Sequence, residues 1–250
     1  MSGQAEMSFW DHLDVLRGTI FRSAGVALAL SVIFLCTKSW LFKVVLWPSQ
    51  PDFFLYRWLG VDFQMELINI DVSAQFFVHL KMAVLAGVVL AFPFIVYEIW
   101  KFVAPALYEH EAGPVRNAFL MSSGLFYLGV CVGYCIVLPV CLMFFMNYTV
   151  SDAVTNTISL QSYISMFISM VFLIGLVFEF PTVAIVLSHL GVVSRQTLRS
   201  WRKYAFVIIL ILAALITPSD PVSMLVLALP LYGLYEFSIL VCRDQPVVQQ

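Results

Sequence analysis

The sequence predicts an all-helical membrane protein that crosses a bilayer six times, and three observations carry that expectation. The first is composition: of 250 residues, 62% are hydrophobic and 11% are charged. Ordinary soluble domains carry about 25% charged residues. A water-soluble fold of this length could not bury so much apolar surface and stay dispersed, whereas lipid accepts it. The second is a succession of apolar runs near the roughly 20 residues that a bilayer crossing needs. The third is the placing of Lys and Arg, which gather on alternate connections as the positive-inside rule requires.

The elements follow in order. Apolar runs over about residues 18–37, 76–102, 118–148, 163–190, 204–216 and 222–241 are the expected spans, with short fifth and sixth helices, in one membrane domain over residues 1–250. The fifth is the shortest. At 1.5 Å per residue it falls short of a hydrocarbon core of about 30 Å. It either pairs with the sixth as a re-entrant hairpin turning at Thr217-Pro218-Ser219-Asp220-Pro221 or crosses a thinned bilayer. Residues 1–8 show neither the apolar core of a cleavable signal nor an Arg-rich transit pattern. The first run is therefore expected to be retained, in a bacterial membrane. With six spans both ends share a side. That side collects Arg17, Arg22, Lys101, Arg116, Arg195, Arg199, Arg202, Lys203 and Arg243. Lys38, Lys43 and Arg57 fall opposite, with Lys81 near the start of the second span. Both termini are predicted to be cytoplasmic.

The connection from Trp47 to Ser73, opened by Pro48 and Pro51, is expected to form short amphipathic helices on the outer face. Residues 104–115 read as a tight turn bounded by Pro105 and Pro114, and 191–203 as a basic loop. Pro93, Pro139, Pro181 and Pro230 lie inside spans. Each removes a helix hydrogen bond, so together they predict a kinked, concave wall of helices.

Polar residues in such a chain need a reason. Glu179, in Val177-Phe178-Glu179-Phe180-Pro181, lies about ten residues from its span's end, near the midplane. A charged side chain there costs on the order of 3 kcal/mol, so it should be protonated, face a wet cavity or meet a partner. Glu98, Lys101, Glu109, His110 and Glu111 cluster at the end of the second span. They read either as a solvated helix end with weak ion pairs or as a receptor for guanidinium groups, which carboxylates bind bidentately. Asp11, His12 and Asp14 precede the first span as capping and dipole-favourable residues, and Asp220 is a natural cap for the sixth helix. Glu236 lies close enough to the interface to snorkel. Cys36, Cys131, Cys135, Cys141 and Cys242 read as small packing residues, and no metal or cofactor is expected.

Several function classes lose ground. A net charge of −2 argues against nucleic acid. No Gly-Lys-Ser/Thr phosphate loop, Gly-x-Ser-x-Gly, His-Glu-x-x-His or intramembrane aspartate pair occurs, so no enzyme is indicated.

Four stretches carry a resemblance. They are His12-Leu13-Asp14-Val15-Leu16-Arg17; Phe102-Val103-Ala104-Pro105-Ala106-Leu107-Tyr108-Glu109-His110-Glu111; Phe178-Glu179-Phe180-Pro181; and Leu215-Ile216-Thr217-Pro218-Ser219-Asp220, followed by Leu229-Pro230 and Tyr235-Glu236. From about Phe9 to Arg243 the chain resembles TatC, the multispanning receptor subunit of the twin-arginine protein translocase. The resemblance implies recognition of the paired arginines in the signal peptides of folded precursors. Glu111, Phe102, Arg17 and His12 match the family's signal-binding residues. Asp220 matches the acid where single-span TatA-type or TatB-type partners contact the receptor, Glu179 the intramembrane glutamate of the groove, and Pro48 a proline after the first span. Two departures stand out. Val15 replaces the usual Glu before Leu-Arg; Asp14, one residue earlier and roughly 100° round a helix, either supplies that charge or faces elsewhere. Met224 replaces a polar residue four positions after Asp220.

The resemblance further implies export of folded proteins powered by the proton-motive force across a bacterial inner membrane, lipid contact, and several receptor copies in one complex. The competing reading is a proton-coupled small-solute carrier with Glu179 as its proton site.

Overall fold

The computed structural model describes residues 9–104, 112–149, 151, 156–217 and 221–242, and the side chains of 9–12 and 112–115 are not among those described. The chain is a set of packed helices. Five stretches are long and apolar enough to cross a membrane: Leu13–Cys36, Ala74–Val103, Arg116–Asn147, Leu160–His189 and Pro221–Val241. The first helix, α1 (Phe9–Cys36), starts well before its apolar run. Short elements follow it: α2 (Lys38–Leu46), a 3₁₀ turn at Trp47–Ser49 and α3 (Phe54–Leu59), which ends on Gly60 at φ 65°. That left-handed φ suits a residue without Cβ.

One pairing in this region has no counterpart in the sequence reading. Strand β1 (Leu67–Ile68) runs parallel to β2 (Ile158–Ser159), with Leu67 opposite Ile158. Two connections far apart in sequence are thereby tied. Tyrosines fasten the same end. Two carbonyls near the end of α2 accept from tyrosines, and Val44 O accepts from the Trp47 N–H as well. Val44 O accepts from the Tyr134 hydroxyl at 2.7 Å and Val45 O from the Tyr163 hydroxyl at 2.6 Å. Pro48 is buried, and its carbonyl accepts from the Tyr56 hydroxyl at 2.7 Å. Burial pushes the Tyr56 phenol above its ordinary pKa.

The helix α4 (Ala74–Val103) packs along α1 more extensively than any other pair of elements. The reason is a small residue at the crossing. A Cβ on Gly87 would stand 2.6 Å from Ser31 N and 2.8 Å from Ala27 O, so only glycine lets the two backbones approach this closely. Arg22 meets Glu98 and Ser31 meets Gly87, so the helices are antiparallel with paired positions summing to about 119.

The third rod is α5 (Ala112–Val132), a π-helical turn at Gly133–Val137, and α6 (Leu138–Asn147). The wide turn lies directly before Pro139, whose missing N–H leaves a gap in the ladder. The fourth begins with α7 (Leu160–Phe167) and a second π segment, Ile168–Leu173. It continues as α8 (Ile174–Val177), breaks at Phe178–Glu179, and resumes as α9 (Phe180–His189) with Pro181 in its first turn. Pro93 and Pro230, by contrast, sit inside continuous helices. Two of the four prolines singled out lie beside a change of helix type or a break, and the π segment Ile168–Leu173 holds no proline.

Next come α10 (Arg195–Ser200), α11 (Arg202–Ile216) and α12 (Pro221–Val241). With 15 residues, α11 is about 22 Å long, shorter than a hydrocarbon core. Arg202 meets Glu236 and Phe206 meets Tyr232, so α11 and α12 form an antiparallel hairpin with its midpoint near position 219. Asp220 itself lies outside the described residues.

Candidate functional site

The end of the molecule where α1 begins and α4 ends holds the densest charge. Glu98, on the last turns of α4, is 2% exposed. Its Oε2 accepts from Arg22 Nε at 2.7 Å, and Lys101 Nζ stands 3.6 Å from Oε1. The Arg22 guanidinium folds back along α1, 3.5 Å from the Thr19 hydroxyl. A Cβ on Gly18 would come within 3.2 Å of it. A buried carboxylate, a hydroxyl and a glycine thus form a seat for one guanidinium, filled by the chain's own arginine. Of the two sequence readings for Glu98, the solvated helix end does not hold: its partner lies 76 residues away across a helix pair. Arg22, counted only as a topological charge, is the staple.

The α1–α4 register carries this further. Positions summing to about 119 put Arg17 level with Phe102 and Val15 level with Ala104. Two of the sequence-derived site residues are thus brought to one level, with Phe102 half-buried. The Arg17 guanidinium lies 5.6 Å from the Phe21 ring centroid, which keeps it extended along α1. Asp14 is exposed and makes no polar contact among the described residues, so its carboxylate is open to a ligand. The side chain of His12 and all of Glu111 lie outside the described residues.

Glu179 occupies the break between α8 and α9. Glycines bring α5 and α8 together there, since a Cβ on Gly129 would stand 2.9 Å from the Gly175 Cα. Ser122, on α5, donates its hydroxyl to Glu179 Oε2 at 2.5 Å, while Oε1 is buried without a partner. The Thr182 hydroxyl, one turn on, lies beside the same carboxylate. It does not lie beside Met224. Phe180 stacks on Tyr235 at 5.9 Å, which sets Glu179 about ten residues, or roughly 15 Å, along α12 from Met224. The residues grouped by sequence as one partner contact occupy two levels.

At the far end, a cavity of about 980 Å³ opens between the β1–β2 region, α7 and the end of α11. Ser162, Ser165 and Ser169 line it from one side and Thr217 from the other. The shortness of α11 leaves this polar opening beside its last turn. Glu236 does not snorkel freely: it accepts from Arg202 at 2.6 Å and from the Tyr232 hydroxyl at 3.1 Å. Among the described residues no group of three or more His, Cys, Asp or Glu side chains could hold a metal.

Sequence comparison fits this arrangement. The sequence model of the family described as Sec-independent protein translocase protein (TatC) matches residues 11–230. A Sec-independent protein translocase protein TatC from Blattabacterium sp. subsp. Periplaneta americana is 34% identical over 250 residues, covering 94% of each chain. The TatC protein of Escherichia coli K12 is 33% identical, over 93% of this chain and 86% of that one. Two crystal structures of the twin arginine translocase receptor TatC superpose at 33% identity. One has a TM-score of 0.75 and covers 92% of this chain and 96% of that chain. The other, in the detergent DDM, has a TM-score of 0.78 and covers 93% and 99%. The sequence matches and the superposed fold agree: the chain belongs to the TatC family of Sec-independent protein translocase proteins.

Proposed function

We propose that this protein is the receptor subunit of a twin-arginine translocase, binding the arginine pair of a signal peptide where α1 begins and α4 ends. The observation that carries the reading is the seat at Glu98. This end of the molecule already holds a guanidinium against a carboxylate, in the geometry that charge-assisted binding favours. Asp14 and Glu111 are the acids left for incoming arginines, with Arg17, His12 and Phe102 shaping the surface around them. The apolar part of the signal then lies along the helices toward Glu179, which Ser122 and Thr182 hold at the break between α8 and α9. TatA-type and TatB-type single-span partners join near Asp220 and Met224, and the proton-motive force drives passage of the folded precursor. Pro48 acts structurally, fixing the outer loop through Tyr56.

Six crossings with both termini in the cytoplasm, in a bacterial inner membrane, complete the proposal. The protein assembles and recognises; it carries out no bond chemistry. A solute carrier needs several polar groups converging at the midplane, and Glu179 is served by Ser122, with Thr182 one turn on, among the described residues. The test is export of a folded twin-arginine reporter from cells lacking the gene, with and without Glu111→Ala. Loss of export on deletion, and loss of precursor co-purification with a normally abundant Glu111→Ala protein, are expected. Normal export in the deletion strain overturns the receptor reading.

A further inference from the structure

Helix α2 lies across the molecule, not along it. In the α1–α4 register Thr37, just before α2, is level with about position 82 of α4. Phe42 packs on His79 of α4 with ring centroids 5.8 Å apart. Phe92 stacks on Phe126 at 3.6 Å and the Tyr127 hydroxyl donates to Val89 O at 3.1 Å, so α4 and α5 are antiparallel with paired positions summing to about 217. Tyr134, which holds Val44 O, is therefore level with about position 83. Nine residues of helix, about 13 Å long, thus bring almost no advance along α4. Depth follows from the same register. His79 and Glu98 are 19 residues apart on α4, about 28 Å, close to a hydrocarbon core of about 30 Å. With the ion pairs of Glu98 at one boundary of that core, α2 lies flat at the other.

The faces of α2 sort to match. Leu41 and Val45 are buried against the protein. Trp40, Val44 and Trp47 are exposed and lie within about 60° of one another round the axis, while exposed Lys43 lies about 100° from Val44, on the other flank. Trp40 and Val44 roof an apolar recess of about 370 Å³ that runs along α4 from Met82 to Leu90, toward Glu98. That flank therefore faces the hydrocarbon, and the Lys43 flank faces away from it. The apolar face continues onto α3. Trp47 stands 6.5 Å from Phe54, and Trp58, one turn on from Phe54, is 81% exposed. Three of the six tryptophans of the chain are gathered here, and tryptophan is the residue type that settles at a membrane–water boundary.

We propose that α2 and α3 form an in-plane anchor on the lipid surface opposite the Glu98 end. Trp40, Val44, Trp47, Phe54 and Trp58 sit at the boundary between acyl chains and headgroups, and Lys43 reaches up among the headgroups. A lipid boundary accounts for a face split between an apolar and a cationic flank, because a lysine stem can cover apolar surface while its ammonium stays in water. A second copy of the chain would have to bury that ammonium. The anchor fixes the height of the helices in the bilayer, and the assignment does not depend on what the Glu98 end binds.

The full chain is reconstituted in phosphatidylcholine vesicles, with or without lipid brominated near the headgroup end of its acyl chains, and with or without iodide on both sides of the membrane. The fluorescence of Trp40 and of Trp58 is obtained as the difference from Trp40→Phe and Trp58→Phe, which change exposed rings and keep them aromatic. Both contributions should fall at least about twofold in brominated vesicles and change little with iodide, as a boundary position requires. The signal added by Lys43→Trp should instead be quenched by iodide. Quenching of Trp40 or Trp58 by iodide would place that face in water and overturns the proposal. Protection of both from either quencher would place them under a second copy of the chain and overturns it too. So does a Lys43→Trp signal that bromine reaches as strongly as it reaches Trp40, since the face would then not be divided.

Discussion

Gly87→Ala tests the close α1–α4 crossing that sets the level of every residue at the proposed signal-binding end. The added Cβ would stand 2.6 Å from Ser31 N and 2.8 Å from Ala27 O, and both are backbone atoms that no rotamer change can move. Relief requires the helices to separate. Overpacking of this kind costs about 1–3 kcal/mol. Ala gains back at most about 1 kcal/mol over Gly in a helix interior, so a net loss of about 1–2 kcal/mol is expected. Gly25→Ala and Gly124→Ala are internal controls. Neither Cβ would meet anything within 4 Å, so both should be neutral or slightly stabilising. Thermal unfolding in detergent can be followed with a thiol-reactive dye as the further signal from Cys141 and Cys242, buried in the folded chain, above that of exposed Cys36 and Cys131. Gly87→Ala should lower the midpoint by roughly 3–6 °C, with Gly25→Ala unchanged or higher. If Gly87→Ala melts with the controls, the helices are not held at this distance and the register argument fails.

The seat at Glu98 predicts an order of effects. Arg22→Gln leaves a carboxylate buried with only Lys101 near it and should destabilise more than Glu98→Gln, which leaves a half-exposed arginine that water can serve; the double variant should recover part of the loss. Equal melting of the two single variants would contradict a buried pair. Asp14→Asn should weaken co-purification of a twin-arginine precursor without changing abundance, and an unchanged yield would leave Glu111 to carry recognition. Tyr163→Phe removes a donor 2.6 Å from Val45 O and leaves that carbonyl unpaired, at a cost of about 1–3 kcal/mol, read by the same unfolding assay. No change there would mean that water replaces the hydroxyl.

Helices were legible in the sequence because apolar runs report burial in lipid directly. The shortness of α11 was legible too, and its antiparallel pairing with α12 fits both a re-entrant hairpin and a crossing of a thinned bilayer. What could not be read depends on pairs distant in sequence. Glu98 looks like a surface acid until Arg22, 76 positions earlier, is placed against it. Tyr163 gives no sign of its bond to Val45, 118 positions away. The two-residue strands have no period to detect and exist only because their connections meet. Proline marked some of the irregular turns and missed the π segment Ile168–Leu173, which has none. Pro93 and Pro230 remain in continuous helices, while Pro139 and Pro181 follow a π turn and a break that their neighbours also stabilise. For the candidate site, residue type marked Glu179 and the family resemblance marked Arg17, but only the helix register showed that Arg17 and Phe102 share a level.

The loss of the usual acid at Val15 bears on how this chain can still hold arginines. In the α1–α4 register Val15 lies level with Ala104, two helical turns beyond the Arg22–Glu98 pair. A carboxylate at Val15 would point about 200° round the helix from Arg17 and so would be free for an incoming guanidinium. Without that acid, the free negative charge described on this part of α1 is Asp14, roughly 100° round the helix from position 15. Exchange at Glu98 itself would be nearly neutral in charge, because one guanidinium replaces another on a carboxylate whose desolvation is already part of the fold. Arg22 therefore has two possible effects. It either closes Glu98 to the signal, leaving recognition to Asp14 and Glu111, or it yields its place on binding. Arg22→Lys separates them. Lysine keeps the charge but loses the planar fork. A closed seat predicts unchanged signal affinity in that variant, whereas a yielding one predicts tighter binding.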